Sequence, residues 1–265
     1  MPIDSQRAGP AVLLAWLVHL LTAGGAVLAL FALAAIHEEE WRLALLWLLA
    51  ALAVDGIDGT LARLARVKER VPRIDGATLD LVVDYLNYVF VPTLFIWRAG
   101  LVPAALAPAL AVAIQLSSLY VFARADMKTE DDYFRGFPAL WNVVALYLFA
   151  LQPGPEAGAI LVAALAIVSF APVHFVHPFR VRDYGAWLPL LAIFWAASST
   201  PLLWPDWSPG VRATLIWCSA GSGLLLIALG LLRSLRGPRP RRVVPPAEAA
   251  MEAGHGGSHG GPGQG

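Results

Sequence analysis

The sequence predicts an all-α membrane protein, a polytopic bundle of about eight transmembrane helices. Three observations predict this class: the chain is 58% hydrophobic, only 14% of it is charged, and its apolar residues form long continuous runs. A soluble domain carries roughly 25% charged residues, and a bilayer-spanning helix needs about 20 apolar ones. Continuous runs also differ from the alternating pattern of membrane barrel strands.

Eight apolar segments follow one another along the chain, separated by short polar breaks. Glu38-Glu39-Glu40 and residues 152–156 are two of these breaks, and each segment between breaks is close to membrane-spanning length. The predicted spans are residues 11–36, 41–62, 78–97, 101–123, 136–152, 157–178, 185–204 and 210–232. The first run exceeds the roughly 7–15 apolar residues of a signal-peptide core, so we predict a retained helix there.

The basic residues are distributed unevenly between the two sides of this predicted bundle. Sixteen of the 19 basic residues fall on the side that holds both termini, and only Arg42, Arg98 and Arg212 fall on the other. Loops rich in Lys and Arg stay in the cytoplasm. We therefore expect both termini and the loop between the second and third spans to be cytoplasmic, and an odd number of spans would break the asymmetry.

The domain organisation follows from where the apolar pattern stops. Residues 1–236 are predicted to form one integral membrane domain, whereas residues 237–265 are rich in Pro, Gly and His and lack apolar periodicity. Such a composition predicts a disordered C-terminal tail. The net charge is zero, which gives no reason to expect a nucleic acid partner.

Four carboxylates lie beside the membrane within one predicted helical hairpin. Asp55 and Asp58 are three residues apart near the end of the second span, and Asp80 and Asp84 are four apart near the start of the third. Side chains at these spacings project from one face of a helix. An ionised Asp near the bilayer centre costs about 2.5–3.5 kcal/mol on insertion scales, which indicates a compensating charge and a function.

Two divalent cations would balance the four carboxylates. Mg²⁺ and Mn²⁺ prefer oxygen ligands and commonly share their coordination sphere with a substrate phosphate. The residues between the acid pairs fit this use. Gly59, Ala62 and Gly76 are small enough to let a ligand or a neighbouring helix approach, and Arg63 carries a planar, permanent charge suited to phosphate.

The whole pattern resembles the motif of the CDP-alcohol phosphatidyltransferases. It reads Asp55-x₂-Asp58-Gly59-x₂-Ala62-Arg63-x₁₂-Gly76-x₃-Asp80-x₃-Asp84, which is eight fixed positions in 30 residues. Most of that family have eight residues, not twelve, between the Arg and the following Gly. The longer spacing and the eight predicted spans resemble the bacterial phosphatidylcholine synthases, as do residues 128–142 and 174–182.

The resemblance implies a reaction and roles for the motif residues. The hydroxyl of choline would attack the β-phosphoryl group of CDP-diacylglycerol, forming phosphatidylcholine and releasing CMP. Two ions, Mn²⁺ or Mg²⁺, would be held by the four aspartates, with Asp84 also acting as the general base. The CDP moiety would contact Gly59, Ala62, Arg63 and Gly76. The family also implies a bacterial inner membrane location, membrane lipids as neighbours, and a possible homodimer.

Choline requires a separate binding site, because its quaternary ammonium is recognised mainly by aromatic faces. We hypothesise a cage drawn from Tyr120, Tyr133 and Trp141, with Glu130 or Asp131 supplying negative charge. Interfacial packing is the competing interpretation of each aromatic side chain.

Three alternatives remain open from the sequence. The first is another CDP-alcohol phosphatidyltransferase that uses glycerol phosphate, inositol phosphate or serine, although a phosphorylated acceptor would favour extra basic residues near Asp84. The second is a UbiA-like prenyltransferase, whose two acidic motifs would lie far apart in sequence. The third is a cation transporter, whose acids should lie near the bilayer midplane, often at helix breaks.

Overall fold

The computed structural model describes residues 9–237 and shows a bundle of helices with almost no strand. It confirms the all-α membrane bundle that the sequence predicts. The helices are α1 (Pro10–His37), α2 (Trp41–Leu64), α3 (Val67–Arg70), α4 (Gly76–Tyr85), α5 (Val91–Arg98), α6 (Ala107–Ala123), α7 (Trp141–Leu151), α8 (Pro155–Val168), α9 (Trp187–Ser199) and α10 (Pro209–Arg236). A π-helical turn (Leu86–Phe90) joins α4 to α5, and a 3₁₀ turn (Thr200–Leu203) follows α9.

Four helical segments of residues 9–237 are long and apolar enough to cross a membrane. They are α1, α2, the continuous segment Gly76–Arg98 and α10. The other apolar helices, α6, α7, α8 and the segment Trp187–Leu203, have 10–17 residues each. Each of the eight predicted spans therefore contains an apolar helix, and a count of eight membrane crossings stays a prediction. The predicted tail lies outside the described residues except for Gly237.

The four shorter helices correct the predicted boundaries of their spans. The sequence predicts spans at residues 101–123 and 136–152, but α6 begins at Ala107 and α7 only at Trp141. Residues 171–178, predicted to continue the sixth span, are not helical and contain a strand at His174–Phe175. Pro172 and Pro178 flank this strand, and proline removes a helical hydrogen bond and clashes with the preceding turn.

The hairpin that carries the acid pairs is shaped by its connection. After α2, the short helix α3 and a turn lead to Asp75, which caps α4. One Asp75 carboxylate oxygen accepts hydrogen bonds from the backbone N–H groups of Ala77 and Thr78 at 3.0 and 3.3 Å. A capping aspartate satisfies N–H groups that have no partner within the helix. The cap therefore fixes the start of α4 at Gly76, four residues before Asp80.

The π-helical turn interrupts the third long helix one turn beyond Asp84. Its signature is the backbone N–H of Val91, which donates to the carbonyl oxygen of Leu86, five residues earlier. Pro92 follows directly, and a proline ring clashes with the carbonyl group four residues before it. We attribute the widened turn to this proline, because widening it removes the clash without ending the helix.

The main apolar core lies between α1, α2, the π turn with α5, α6, α7 and α8. Trp141, Phe95 and Leu45 are among its largest fully buried side chains. The rings of Phe95 and Phe149 meet edge to face at 5.9 Å, and those of Phe137 and Trp141 at 5.1 Å. This core supports the middle of the hairpin, and the acid pairs lie at its edge.

Two non-helical segments, residues 124–140 and 169–186, pack together beside the acid pairs, and we call them the cover. Strand β1 (Phe134–Arg135) pairs with β2 (His174–Phe175) in antiparallel register, Phe134 opposite Phe175. Gly136 has a φ of +78°, and a Cβ there would collide with the carbonyl oxygen of Ser169. Only glycine combines that backbone angle with so close an approach.

The last helix holds the cover in place. Arg233 of α10 donates two hydrogen bonds to the Asp131 carboxylate, at 2.6 and 3.2 Å. The Ser234 hydroxyl accepts a 2.7 Å hydrogen bond from the backbone N–H of His174. A Cβ at Gly230 would meet the backbone of β2, so the helix lies directly against the cover.

Candidate active site

The structure brings three of the four predicted metal ligands together. Asp55 of α2 and Asp80 and Asp84 of α4 each present one carboxylate oxygen, and these oxygens lie within 4.8 Å of one another. We call these residues the acid triad. Asp80 and Asp84 lie on one face of α4 because they are four residues apart, and that face is directed at the end of α2.

Asp58 lines the same cavity, but its carboxylate is hydrogen-bonded to α1 instead of converging with the other three. It is 5% exposed, and one of its carboxylate oxygens accepts a 2.6 Å hydrogen bond from the hydroxyl of Thr22 in α1. The group of converging carboxylate oxygens does not include Asp58. Its predicted role as a fourth ligand therefore stays a prediction, and Thr22 is a neighbour that the sequence did not indicate.

The chemistry of this cavity fits a divalent cation. The cavity has a volume of about 10 Å³ and is lined by all four aspartates together with Thr22, Asn87 and Tyr88. Within residues 9–237, no Lys or Arg forms an ion pair with any of these carboxylates. Converging carboxylates repel one another unless a cation compensates them, and hard divalent ions prefer such oxygen donors.

Of the predicted nucleotide-binding residues, Gly59 lies beside charged groups and Ala62 lies among apolar ones. A Cβ at Gly59 would lie 3.7 Å from Nη1 of Arg63 and 3.8 Å from Nη2 of Arg180, so two guanidinium groups meet over this glycine. Ala62 packs against the apolar cluster that includes Val18 and Val67. The contacts of Gly59 suit an anion, whereas the small size of Ala62 serves helix packing.

Gly76 at the start of α4 lies against a buried histidine. A Cβ there would be 3.1 Å from Cε1 of His19, a tight contact that a larger residue would force apart. His19 belongs to α1, is 7% exposed, and its Nε2 has no hydrogen-bond partner. Gly76 thus makes room for the His19 imidazole, a contact that the motif spacing does not reveal.

Lys128 and Arg180 are the site residues that sequence reasoning missed. Both belong to the cover, and both are half-buried close to the acid triad. Burial lowers the pKa of the Lys128 ammonium and the Arg180 guanidinium lowers it further, while the carboxylates of the triad act in the opposite direction. The cover therefore adds two cations beside four carboxylates.

The aromatic contacts of the cover arrange these cations. The ammonium of Lys128 lies 5.0 Å from the centroid of the Phe134 ring, and the His177 imidazole stacks on that ring at 5.2 Å. Burial brings the pKa of His177 down to about 3, with Lys128 and Arg180 acting in the same direction, so this imidazole is neutral at pH 7. The sequence signal was the basic residues within the family-like segments 128–142 and 174–182. Their convergence depends on pairing across about forty residues.

The three proposed choline residues occupy separate surroundings. Tyr120 is exposed, and its ring packs against Phe170 at 4.7 Å. Tyr133 is fully buried, and its hydroxyl donates to Asp183 at 3.1 Å. Trp141 is also fully buried, and its indole N–H donates to the Ser118 hydroxyl at 2.8 Å. No ring contact joins any two of these three within the described chain, and the cage stays a prediction.

The two acids suggested for the cage also differ from each other. Glu130 is exposed, whereas Asp131 is engaged by Arg233. Burial alone would raise the pKa of the Asp131 carboxyl, but hydrogen bonds from Arg233 and Thr129 outweigh it and bring the pKa to about 2. Asp131 therefore stays ionised at pH 7 and neutralises Arg233.

Comparison with known proteins places this arrangement among lipid-synthesising enzymes. Residues 15–195 match the model of the CDP-alcohol phosphatidyltransferase family. Phosphatidylcholine synthase from Pseudomonas aeruginosa is 43% identical over 203 residues, which cover 77% of this chain and 85% of that protein. The protein of the same name from Bradyrhizobium diazoefficiens is 44% identical over 82% of this chain and 81% of its own length. The one from Agrobacterium fabrum is 33% identical over 85% and 92%.

Proposed function

The chain belongs to the CDP-alcohol phosphatidyltransferase family, and from that premise we propose that it is a phosphatidylcholine synthase. The oxygen of the choline hydroxyl forms a bond to the β-phosphorus of CDP-diacylglycerol. The bond between that phosphorus and the bridging oxygen breaks, and CMP leaves with that oxygen. The observation that carries the proposal is the convergence of Asp55, Asp80 and Asp84 at the family motif.

The family is metal-dependent, and the acid triad is the place for the metal in this chain. We propose that Asp55, Asp80 and Asp84, with Asp58 beside them, hold two divalent cations, Mn²⁺ or Mg²⁺. When bound, such ions withdraw electron density from the phosphoryl group and stabilise the departing phosphate. The absence of ion pairs to these carboxylates within the described residues supports this assignment.

Asp84 is proposed as the general base. An alcohol is a weak nucleophile until it loses its proton, so a carboxylate must lie within hydrogen-bond reach of it. Within residues 9–237, no protein group donates a hydrogen bond to Asp84. Both of its oxygens are therefore open to a ligand or a proton, and we assign the choline proton to one of them.

The cationic side chains beside the triad are proposed to bind the diphosphate and nucleotide. Arg63 and Arg180 converge over Gly59, and Lys128 adds a third charge from the cover. Guanidinium groups bind phosphate oxygens through paired N–H donors, and an ammonium acts as a compact point charge. These residues would orient CDP-diacylglycerol and stabilise CMP as it leaves, with Gly59 giving the nucleotide room. Nucleotide contacts of Ala62 and Gly76 stay predictions, because these two residues pack against neighbouring helices here.

The location and assembly of the protein also belong to this proposal. The apolar helices make it a membrane protein. We propose eight crossings of the bacterial inner membrane with both termini and the acid triad on the cytoplasmic side, because the basic residues follow the positive-inside rule there. Choline and CMP are water-soluble and would exchange at that side. A homodimer remains the family-based expectation.

The proposal is tested by following CMP release from purified protein in lipid micelles. CDP-diacylglycerol and Mn²⁺ are supplied with choline, serine, inositol phosphate or glycerol phosphate as the acceptor. Turnover is expected with choline and with none of the other three alcohols. Turnover with serine or glycerol phosphate but not choline would assign another acceptor, and CMP release with no acceptor dependence would contradict transferase activity.

A further inference from the structure

The side chain of Tyr88 touches the acid triad from within the apolar core. Its phenol donates a 2.6 Å hydrogen bond to one carboxylate oxygen of Asp55. Tyr88 is 5% exposed, and its ring belongs to the main apolar cluster. A buried tyrosine usually finds one partner for its hydroxyl, and here that partner is a residue of the triad. Tyr88 lies outside the motif that ends at Asp84.

The π-helical turn places Tyr88 where it can reach Asp55. Asp80, Asp84 and Tyr88 are spaced by four residues, so they follow one face of the third long helix. In a regular α-helix a residue eight positions on is rotated by about 80° from the first. In the wider π-helical turn at Leu86–Phe90, each residue is rotated about the helix axis by a smaller angle than in an α-helix. It therefore holds Tyr88 closer to the face of Asp80 and Asp84.

The hydrogen bond limits how the Asp55 carboxylate can turn. The phenol is a neutral donor at pH 7, so it orients the carboxylate without cancelling its charge. With this bond made, the two carboxylate oxygens of Asp55 still have lone pairs for a cation. Groups that orient metal ligands in this way typically change metal affinity by about 10–100-fold when removed.

We propose that Tyr88 is a positioning residue of the metal site, which holds Asp55 in the orientation that binds a divalent cation. This proposal rests on the metal-dependent function proposed above. Thr22 gives the neighbouring carboxylate a similar contact, since its hydroxyl donates to Asp58 at 2.6 Å. The two donors come from α1 and the π turn, so residues outside the sequence motif orient its α2 acids.

The chain supplies a matched control in Tyr85. It lies three residues earlier on the same helix, and its hydroxyl also donates a 2.6 Å hydrogen bond, to the Oε1 atom of Gln115 in α6. Tyr85→Phe and Tyr88→Phe therefore each remove one tyrosine hydroxyl that donates to a side-chain oxygen. Only the second loses a contact with the acid triad.

The experiment measures Mn²⁺ binding directly, by the electron paramagnetic resonance of free Mn²⁺ added to purified protein without substrate. Tyr88→Phe is expected to weaken Mn²⁺ binding by about 10–100-fold, and Tyr85→Phe to leave it unchanged. In activity assays, Tyr88→Phe should raise the Mn²⁺ concentration needed for half-maximal rate while the KM for choline stays the same. Wild-type affinity for Mn²⁺ in Tyr88→Phe would overturn the proposal.

A second measurement, thermal unfolding with and without Mn²⁺, separates positioning from simple structural support. Tyr88→Phe keeps the aromatic ring in the apolar core, so without metal its melting temperature should match that of Tyr85→Phe, whereas added Mn²⁺ should raise it less. Equal stabilisation of the two variants by Mn²⁺, or failure of Tyr88→Phe to fold while Tyr85→Phe folds, would show that Tyr88 serves the core alone. If the wild-type protein binds Mn²⁺ and the two variants differ as expected, but choline is not a substrate, the proposed function fails and the role of Tyr88 stands.

Discussion

The two acid pairs differ in how the protein holds them. On α2, Asp55 accepts a hydrogen bond from Tyr88 and Asp58 one from Thr22, both at 2.6 Å. On α4, Asp80 and Asp84 accept none from any group of residues 9–237, although they lie at the same cavity. Hydrogen bonds therefore fix the orientation of the α2 pair, whereas no hydrogen bond within residues 9–237 fixes that of the α4 pair.

This difference suits a site that must both hold ions and move a proton. Preorganised ligands cost little to order when a cation binds, which strengthens binding. A carboxylate that has to accept a proton needs an oxygen that no other donor occupies. We infer that α2 supplies the fixed ligands and α4 the reactive carboxylate, and the following predictions test that division.

The largest loss of activity is expected from Asp84→Asn, in the α4 pair. The amide retains the size of the side chain but removes the charge and the proton acceptor, so CMP release should fall by at least about 10³-fold. The control is Asp206→Asn, an exposed acid outside the site, which should retain wild-type activity and melting temperature. Substantial activity in Asp84→Asn would assign the base to another group.

An intermediate effect is expected from Lys128→Ala, which leaves both acid pairs intact and removes a cation of the cover. The loss of one charge-assisted contact to phosphate, worth about 1.5–3 kcal/mol, should raise the KM for CDP-diacylglycerol about 10–100-fold. Mn²⁺ affinity should change much less than in Tyr88→Phe. The chain's other lysine, Lys68, is exposed, and Lys68→Ala is the control. An unchanged KM in Lys128→Ala would remove the cover from phosphate binding.

The smallest effect on chemistry is expected from Asp131→Asn, which loosens the cover and leaves both pairs in place. Removing this carboxylate leaves the buried Arg233 guanidinium without its partner, so unfolding free energy should fall by about 1–3 kcal/mol. Thermal or denaturant unfolding measures this change. Asp126→Asn breaks two ion pairs of an exposed carboxylate in the same cover, with Arg124 and Arg135, and should have little effect.

The Asp131 carboxylate should also make the free energy of unfolding depend on pH. The pKa of Asp131 is about 2 in the folded protein, below the value of about 3.9 for an unfolded aspartate. A lowered pKa stabilises the folded state fully above the unfolded value, and this contribution is lost as the pH falls from about 4 toward 2. Asp131→Asn should flatten the stability profile in that range, and an unchanged slope would contradict the assigned role.

The hairpin was predictable from sequence because its chemistry is local. The spacing of Asp80 and Asp84 fixes their common face, and the apolar runs place them beside Asp55 across one connection. Thr22, Lys128 and Arg180 were missed because their contacts depend on segments far from the motif. Tyr88 is only four residues beyond Asp84, but its direction depends on a widened turn that the apolar pattern does not show. Pro92 was the available signal for that turn.

The helix boundaries failed where proline and glycine act within apolar runs. Hydropathy alone extends the predicted span at residues 136–152 through Gly136 and Pro138, but helix α7 starts only at Trp141. The same pattern extends the next span into β2, although Pro172 and Pro178 exclude a regular helix there. Apolar composition reports burial or lipid contact, and backbone geometry decides where each helix begins.

The contact of α10 with the cover indicates how much of the chain is needed to hold the candidate site together. The match to the family model stops at residue 195, yet Arg233 contacts the cover segment that carries Lys128 and Ser234 contacts the segment that carries Arg180. A chain shortened to the matched region would retain every motif residue and lose the helix that supports the cover. The stretch matched by the family model is therefore shorter than the stretch that holds the cover in place, and exchange of parts between relatives should include the last helix.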